Sequence, residues 1–214
     1  DTRGCVFCSA GGSGEFAASR RLTVTEQLAQ AKQRIAAKTG CRKFIAYFQP
    51  FTNTYAPVET LRALFEEAIA PDEIAALSVA TRPDCLGEDV LALLAALNRR
   101  KPVWVELGLQ TIHPRTAAYI RRGYDLPVYD AAARALRERG IHVVTHLILG
   151  LPGESREDVL QSVRYVGARS DGIKLQLLHV LRGTDLLRDY ERGAFQPLSL
   201  EAYADLLCDC IECL

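Results

Sequence analysis

Five short apolar runs recur along this chain, and stretches with helical spacing of apolar residues separate them. Each run is nearly continuous in hydrophobicity, as expected for strands that are buried on both faces of a parallel sheet. Repeated strand–helix units with right-handed crossovers give either a doubly wound sheet or a barrel, so the predicted fold class is α/β. The predicted strands are Lys43–Gln49, Ala76–Thr81, Val103–Leu109, Val143–Leu149 and Ile173–Leu178.

The helices between these strands begin and end at recognisable signals. Thr23 with Glu26, and Ser155 with Asp158, have the spacing of a capping box, in which the hydroxyl accepts a free backbone N–H and the carboxylate reaches back. Gly140 suits the residue that follows a helix, because glycine tolerates the left-handed conformation there. Helices are predicted over Val58–Ala70, Gly87–Asn98, Val128–Arg139 and Leu200–Leu214, with another that begins near Thr23.

The length of the chain limits the size of the barrel. A complete eight-stranded barrel usually needs about 250 residues, and this chain has 214. The five strands, together with a first strand that we expect to be missing before Asp1, predict a partial (βα)6 TIM-like barrel. With 49% apolar residues the chain can bury one core, so we expect a single domain over residues 1–214 that is incomplete at its N-terminus.

Composition gives no support to some classes of partner. The 26 basic and 26 acidic residues balance, so no overall field attracts nucleic acid or an acidic membrane. No apolar run approaches the ~20 residues that span a bilayer. Seven cysteines are an odd number, which favours metal-binding thiols in a reducing cytoplasm over a disulfide framework.

Cys5 and Cys8 form a C-x-x-C pair whose two thiolates can bind one metal centre. Phe7 between them suggests a buried, water-poor site. Two cysteines make half of a four-ligand zinc site or two-thirds of a three-cysteine iron–sulfur site. A thioredoxin-like pair would follow a strand and open a helix, whereas Gly11, Gly12 and Gly14 follow this one.

A second group of cysteines lies on the last predicted helix, at Cys208, Cys210 and Cys213. One interpretation is that they are small apolar residues buried against the core, because free cysteine packs in that way. The other is a second metal site or the missing half of a zinc site. The pattern of residues leaves both open.

Polar residues follow or interrupt the predicted strands. A run of amide and hydroxyl groups, Gln49 to Thr54, follows the first strand, and Gln110 follows the third. Glu106 inside the third strand needs a cation or a donor if it is buried, and His146 inside the fourth is either a satisfied core residue or a ligand. Because the carboxyl ends of parallel strands share one edge, the recurrence predicts a polar ligand at the barrel mouth.

Several motifs together are much more specific than any one of them. They are RGCVFCSAGGSGEFA, YFQPFTNTYAP, SVATRPDCL, VELGLQTIHPRT, HLILGLPGES and LHVLRGTDL, and they run nearly end to end. On these motifs the chain resembles the radical S-adenosylmethionine (SAM) superfamily, most closely the YhcC-type subfamily that is related to the elongator catalytic subunit. The resemblance implies a partial (βα)6 barrel, in agreement with the number of predicted strands.

The resemblance also implies a role for each matching residue. Cys5 and Cys8 match the last two ligands of a [4Fe–4S] cluster, and the first ligand would precede Asp1. Two departures concern SAM contacts: His146 stands where some relatives carry an acidic ribose ligand, and Ala80 where many carry a glutamate. The residues implied to bind SAM are Gln49, Thr52, Asn53 and Thr54 near its amino group, Gln110 and His146 near the ribose, Arg122 at the carboxylate, and Ile148, Gly150, His179 and Leu181 near the adenine.

The implied activity is reductive cleavage of SAM to methionine and a 5′-deoxyadenosyl radical, which abstracts hydrogen from a substrate. A flavodoxin or a ferredoxin would supply the electron. Small molecules, tRNA and protein all stay open as substrates. The alternative is a non-catalytic or RNA-modification-associated barrel in which a structural metal at the C-x-x-C pair stabilises the fold.

Overall fold

The computed structural model describes residues 4–9, 18–36 and 38–214. Gly11, Gly12 and Gly14, which follow the C-x-x-C pair, lie outside the described residues. The strands are β1 (Phe44–Phe48), β2 (Ile74–Thr81), β3 (Val103–Gln110), β4 (His142–Leu149) and β5 (Gly172–Leu177). The α-helices are α1 (Val24–Ala36), α2 (Val58–Ile69), α3 (Glu88–Asn98), α4 (Pro114–Tyr119), α5 (Leu126–Glu138), α6 (Arg156–Gly167), α7 (Asp185–Glu191) and α8 (Leu200–Glu212).

The strands form one curled parallel sheet in the order β1-β2-β3-β4-β5. All four pairings between neighbouring strands are parallel. A doubly wound sheet reverses its strand order at a switch point, and this sheet does not. The sequential order therefore confirms a partial barrel and excludes the doubly wound alternative.

The two faces of the sheet carry different side chains. Successive residues of a strand point to opposite faces. One set, which includes Leu77, Val105 and Val143, packs with the helices in the main apolar core. The other set, which includes Glu106 and His146, therefore points to the concave face, where the helices do not lie.

The predicted helix starts are confirmed at both capping boxes. The Thr23 N–H donates to Glu26 over 2.8 Å, and the Glu26 N–H donates to the Thr23 hydroxyl over 3.2 Å. The Ser155 hydroxyl accepts from the Asp158 N–H, and the Asp158 carboxylate accepts from the Ser155 N–H. These bonds satisfy backbone donors that have no partner inside the helix.

Sequence analysis missed three short elements that follow strands: α4, α7 and a 3-10 helix over Pro83–Cys85. They contain between three and seven residues, too few to show an apolar period. Elsewhere the predicted ends of strands and helices differ from the observed ones by up to two residues. Within the described part of the chain, no helix is both long and apolar enough to cross a bilayer.

Candidate functional site

The C-x-x-C loop is attached to the barrel through the residue after its first cysteine. The Val6 N–H donates to the Ile120 carbonyl over 3.4 Å, and the Val6 carbonyl accepts from the Leu186 N–H over 3.0 Å. The Val6 side chain is 4% exposed and packs in a small apolar cluster with Ile120, Ile148 and Leu186. Backbone pairing and burial thus hold the cysteines beside the ends of α4 and β4.

The two thiols of this loop are chemically unequal. A hydrogen bond from Cys8 lowers the pKa of Cys5 to about 7; burial opposes this, and the positive charges of Arg82 and Arg121 favour it. The same hydrogen bond, together with burial, raises the pKa of Cys8. Thiolate is the form that binds metals, so the lowered pKa of Cys5 favours metal binding at this thiol, and a metal that bound both residues would displace the proton of Cys8.

Three arginines and one tyrosine lie around this loop. The Tyr124 ring has Arg82 and Arg122 over it, at 5.5 and 4.7 Å from the ring centre. The Tyr124 hydroxyl donates to the Gly108 carbonyl over 2.5 Å, which ties this stack to β3. Arg121 pairs with Asp185 at 2.6 Å. Carboxylates offset two of these positive charges, since Arg82 pairs with Asp84 at 2.7 Å and Arg121 pairs with Asp185.

Arg122 is buried, with 4% of its surface exposed, so its guanidinium is not part of a solvated helix face. Its Nε donates to the Tyr124 carbonyl over 2.9 Å, and its Nη1 donates to the Thr111 carbonyl over 2.6 Å. Burial lowers the pKa of Arg122, although a guanidinium keeps its charge. Five N–H donors leave some for a ligand carboxylate after these two bonds.

Gln110 at the end of β3 has two unusual features. Its φ of 71° lies in the left-handed region, which costs a non-glycine residue about 1 to 3 kcal/mol. Its side-chain Oε1 is buried, and it is the one such side-chain atom without a hydrogen-bond partner among the described residues. An acceptor of this kind fits a hydroxyl donor of a bound ligand, such as the ribose that the resemblance implies.

The segment after β1 is held by two of its predicted ligands. The Asn53 amide donates to the carbonyls of Phe48 and Ala80, over 3.0 and 2.8 Å, and so bridges the ends of β1 and β2. The buried Thr54 hydroxyl lies 2.6 Å from both the Thr81 hydroxyl and the Cys85 carbonyl. These two side chains position the segment, while Gln49 and Thr52 are half-buried at its start.

The predicted adenine residues do not all share one environment. Ile148 is 8% exposed and packs with Val6, so it contacts the cysteine loop. Gly150 has a φ of 86°, and a Cβ placed there would lie 3.0 Å from Leu198. His179 and Leu181 are exposed beyond β5. Ile148 thus shares the apolar cluster of the C-x-x-C loop, whereas His179 and Leu181 are exposed to solvent.

Glu106 and His146 meet on the concave face. His146 Nε2 lies 2.6 Å from Glu106 Oε2, and each side chain is 10% exposed. Burial alone would raise the pKa of Glu106, but hydrogen bonds from His146, Ser78 and Tyr47 outweigh it and lower the pKa to about 2. The predicted need of Glu106 for a partner is therefore confirmed.

Sequence analysis did not identify Tyr47, Ser78, Lys174, Arg82 or Tyr124 as site residues. The sequence pattern could have identified the first three as residues of the concave face. Like Glu106 and His146, each is a polar residue inside an otherwise apolar strand. With the strand boundaries known, their period-two positions place them on the face opposite the apolar core.

Cys208 and Cys210 lie in α8, Cys213 follows its end, and the three have different surroundings. Cys210 is buried in the main core, Cys213 is half-buried and Cys208 is exposed. The interpretation as buried apolar residues is thus correct for Cys210 and wrong for Cys208. In residues 4–9, 18–36 and 38–214, no three His, Cys, Asp or Glu side chains form a group that could hold a metal ion.

Two family models match this chain. The model of the radical SAM superfamily matches residues 2–166, and that of the Radical_SAM C-terminal domain matches residues 170–214. The chain is 47% identical to protein YtqA of Bacillus subtilis over 98% of its own length and 65% of that protein. It is 38% identical to protein YhcC of Escherichia coli over 94% of its own length and 64% of that protein.

The chain thus spans just under two thirds of the length of these relatives. Among solved structures, it is similar to Elp3 of Methanocaldococcus infernus with a TM-score of 0.72 and 20% identity, over 87% of this chain and 48% of that one. At this identity the structural match shows the fold alone. The match of the superfamily model over most of the sequence shows that the chain belongs to the radical SAM superfamily.

Proposed function

We propose that this protein is a radical SAM enzyme that binds a [4Fe–4S] cluster through Cys5 and Cys8 and cleaves SAM reductively. One observation carries the proposal: backbone pairing and burial of Val6 attach the C-x-x-C loop to a barrel whose sequence matches the radical SAM superfamily. When bound, the cluster and SAM supply the 5′-deoxyadenosyl radical that abstracts hydrogen from a substrate.

The residues of the chain would bind and orient SAM. Arg122 offers its remaining N–H donors to the SAM carboxylate, since the two backbone carbonyls that it contacts fix the guanidinium plane. Gln110 Oε1 accepts from a ribose hydroxyl, which satisfies an atom that is otherwise buried without a partner. Asn53 and Thr54 hold the segment in which Gln49 and Thr52 face the cofactor.

The apolar cluster around Val6 covers one side of the cysteine loop, in which Cys5 is half-buried and Cys8 is exposed. Val6, Ile120, Ile148 and Leu186 are each at most 8% exposed. A low-dielectric surrounding favours retention of a thiolate-bound cluster and protects a radical from side reactions. We further propose that residues 1–214 act as one radical SAM core, because β5 pairs with β4 although separate family models cover the two strands.

A one-electron donor of the flavodoxin or ferredoxin class would supply the electron, and we place the enzyme in the cytoplasm, where its seven free thiols stay reduced. The relationship to Elp3 supports tRNA as one substrate class. Balanced charge gives no electrostatic preference for nucleic acid, so small molecules and proteins are tested beside it.

Anaerobic reconstitution of the full-length protein tests the proposal. The expected result is the visible absorbance of an iron–sulfur cluster together with 5′-deoxyadenosine formed from SAM and a reductant. Cys8→Ala is expected to abolish both, whereas Cys41→Ala, at an exposed thiol away from the site, is the matched control. Stoichiometric zinc without SAM cleavage would support the structural-metal alternative and reject the enzyme.

A further inference from the structure

Five polar residues, one from each strand, form a connected group on the concave face. We call Tyr47, Ser78, Glu106, His146 and Lys174 the polar layer. Successive residues of a strand point to opposite faces of a sheet. The neighbours of these five residues along each strand face the main apolar core, so all five lie on the opposite side of the sheet. Glu106 connects the group, because its side chain contacts each of the other four members.

Glu106 accepts hydrogen bonds from three members of the polar layer other than Lys174. Its Oε1 accepts from the Ser78 hydroxyl over 2.7 Å, and its Oε2 accepts from Tyr47 over 2.8 Å and from His146 over 2.6 Å. Lys174 Nζ lies farther away, at 3.6 Å from Oε2. Three closer donors already satisfy the carboxylate, so the ammonium is not required to compensate a bare charge.

The polar layer has a buried end and an accessible end. Ser78 is 1% exposed and the Glu106 and His146 side chains are 10% exposed. In contrast, the Lys174 side chain is 38% exposed and Tyr47 is 41% exposed. Lys174 Nζ lies 3.1 Å from the Tyr47 hydroxyl and 5.3 Å from the centre of its ring.

The hydrogen bonds determine what the accessible end can bind. The Tyr47 hydroxyl donates to Glu106 and accepts from Lys174, so both of its functions are in use. An ammonium has three N–H donors, and the described residues offer Lys174 two polar partners. The accessible end therefore offers a positively charged donor beside an exposed aromatic face, whereas the Glu106 carboxylate is buried and already accepts three hydrogen bonds.

We propose that Lys174 and Tyr47 form a substrate subsite that binds an acceptor oxygen, of either a carboxylate or a carbonyl group, with the Tyr47 ring against the adjoining part of the substrate. The subsite rests on the proposed function in one respect, namely that the concave face encloses the substrate of a radical enzyme. Glu106, Ser78 and His146 act as positioning residues that fix the Tyr47 hydroxyl and the ammonium.

Small aromatic probes test the subsite on the full-length protein without cluster or SAM. Benzoate and benzamide carry the two kinds of acceptor, and benzylamine is a matched probe that carries only donors. Ligand-observed NMR titration of wild type is expected to detect benzoate or benzamide and to find benzylamine bound at least roughly tenfold more weakly. The better of the two acceptor probes then identifies the oxygen chemistry of the substrate.

Variants connect this binding to Lys174. Lys174→Met is expected to lower the affinity for the better-bound probe roughly tenfold, because one charge-assisted hydrogen bond is lost. Lys174→Arg retains a donor and a charge, so this variant is expected to bind the probe. Lys38→Met, at an exposed lysine on another part of the surface, is the control. Thermal unfolding of each variant checks that it is folded.

The proposal would be overturned if wild type and Lys174→Met bound the acceptor probes with equal affinity. It would also be overturned if benzylamine bound tightly, or if wild type bound neither benzoate nor benzamide. These outcomes do not depend on SAM cleavage. Failure of cleavage with retained, Lys174-dependent binding would reject the proposed function and leave the subsite. Successful cleavage without such binding would reject the subsite alone.

Discussion

His146 Nε2 lies 2.6 Å from Glu106 Oε2 on the concave face of the barrel. The resemblance to the superfamily implies a ribose contact for His146, at a position where some relatives carry an acidic residue. In this chain one ring nitrogen is engaged with the carboxylate of the neighbouring strand. His146 thus acts first as a partner of Glu106, and Gln110 is the stronger candidate for the ribose because its acceptor has no partner.

Glu106→Gln is expected to change how stability depends on pH. The folded-state pKa of Glu106 is about 2, below the ordinary 4.5, so its charged form stabilises the fold above about pH 4.5 and this contribution is lost as the pH falls toward 2. Between pH 6 and pH 3, wild type should lose about 2 kcal/mol more stability than the variant. Urea unfolding at both pH values measures this difference.

Glu59→Gln is the control for the pH experiment, since it removes a carboxylate whose side chain is 76% exposed. The expected pattern is a large stability gap between wild type and Glu106→Gln at pH 6 that narrows at pH 3. A gap of constant size would contradict the assignment of a stabilising charge to Glu106.

Gly150→Ala is expected to destabilise the protein more than Gly140→Ala. Both glycines have positive φ, 86° and 68°, so alanine is strained by about 1 to 2 kcal/mol at either position. A Cβ at Gly150 also comes within 3.0 Å of Leu198, whereas at Gly140 it meets no atom within 4 Å. Overpacking should add about 1 kcal/mol or more to the cost at Gly150.

Denaturant unfolding of the two glycine variants isolates the contact, because the backbone conformation is of the same kind in both. Leu198→Ala in the Gly150→Ala background should recover the additional cost. Equal losses of stability in the two single variants would show that the Leu198 side chain moves away from the added methyl group at no cost in free energy.

Gln110→Leu is expected to have opposite effects on stability and on SAM binding. Leucine keeps the strained backbone and the approximate volume but removes a buried acceptor without a partner, so the free energy of unfolding should rise by about 1 kcal/mol. The same change removes the proposed ribose contact. SAM binding by the reconstituted protein should weaken roughly tenfold.

Unfolding and SAM titration are measured on the same preparation of this variant. A loss of both stability and SAM affinity would indicate that Gln110 is a structural residue. An increase in stability with unchanged affinity would show that another residue meets the ribose.

Local patterns were enough to predict much of the fold. Capping boxes at Thr23 and Ser155 depend on residues three positions apart, so the sequence alone places them. Short elements such as α4 were not predicted, because six residues are too few to show a helical period of apolar residues. The burial of Arg122 could not be predicted from the sequence, because it depends on Tyr124 and Thr111, and their positions follow from packing after β3.

The amino-acid sequence by itself determined the alternation of strand and helix, the partial barrel and the C-x-x-C pair, because periodicity and short motifs are properties of neighbouring residues. Only the tertiary structure decided that Tyr47, Glu106 and Lys174 contact one another, since up to 127 positions separate them and the twist and register of the sheet set their distances. It also decided that Gln110 ends with a buried acceptor unpaired. Burial and hydrogen bonding depend on every surrounding element, which no local pattern contains.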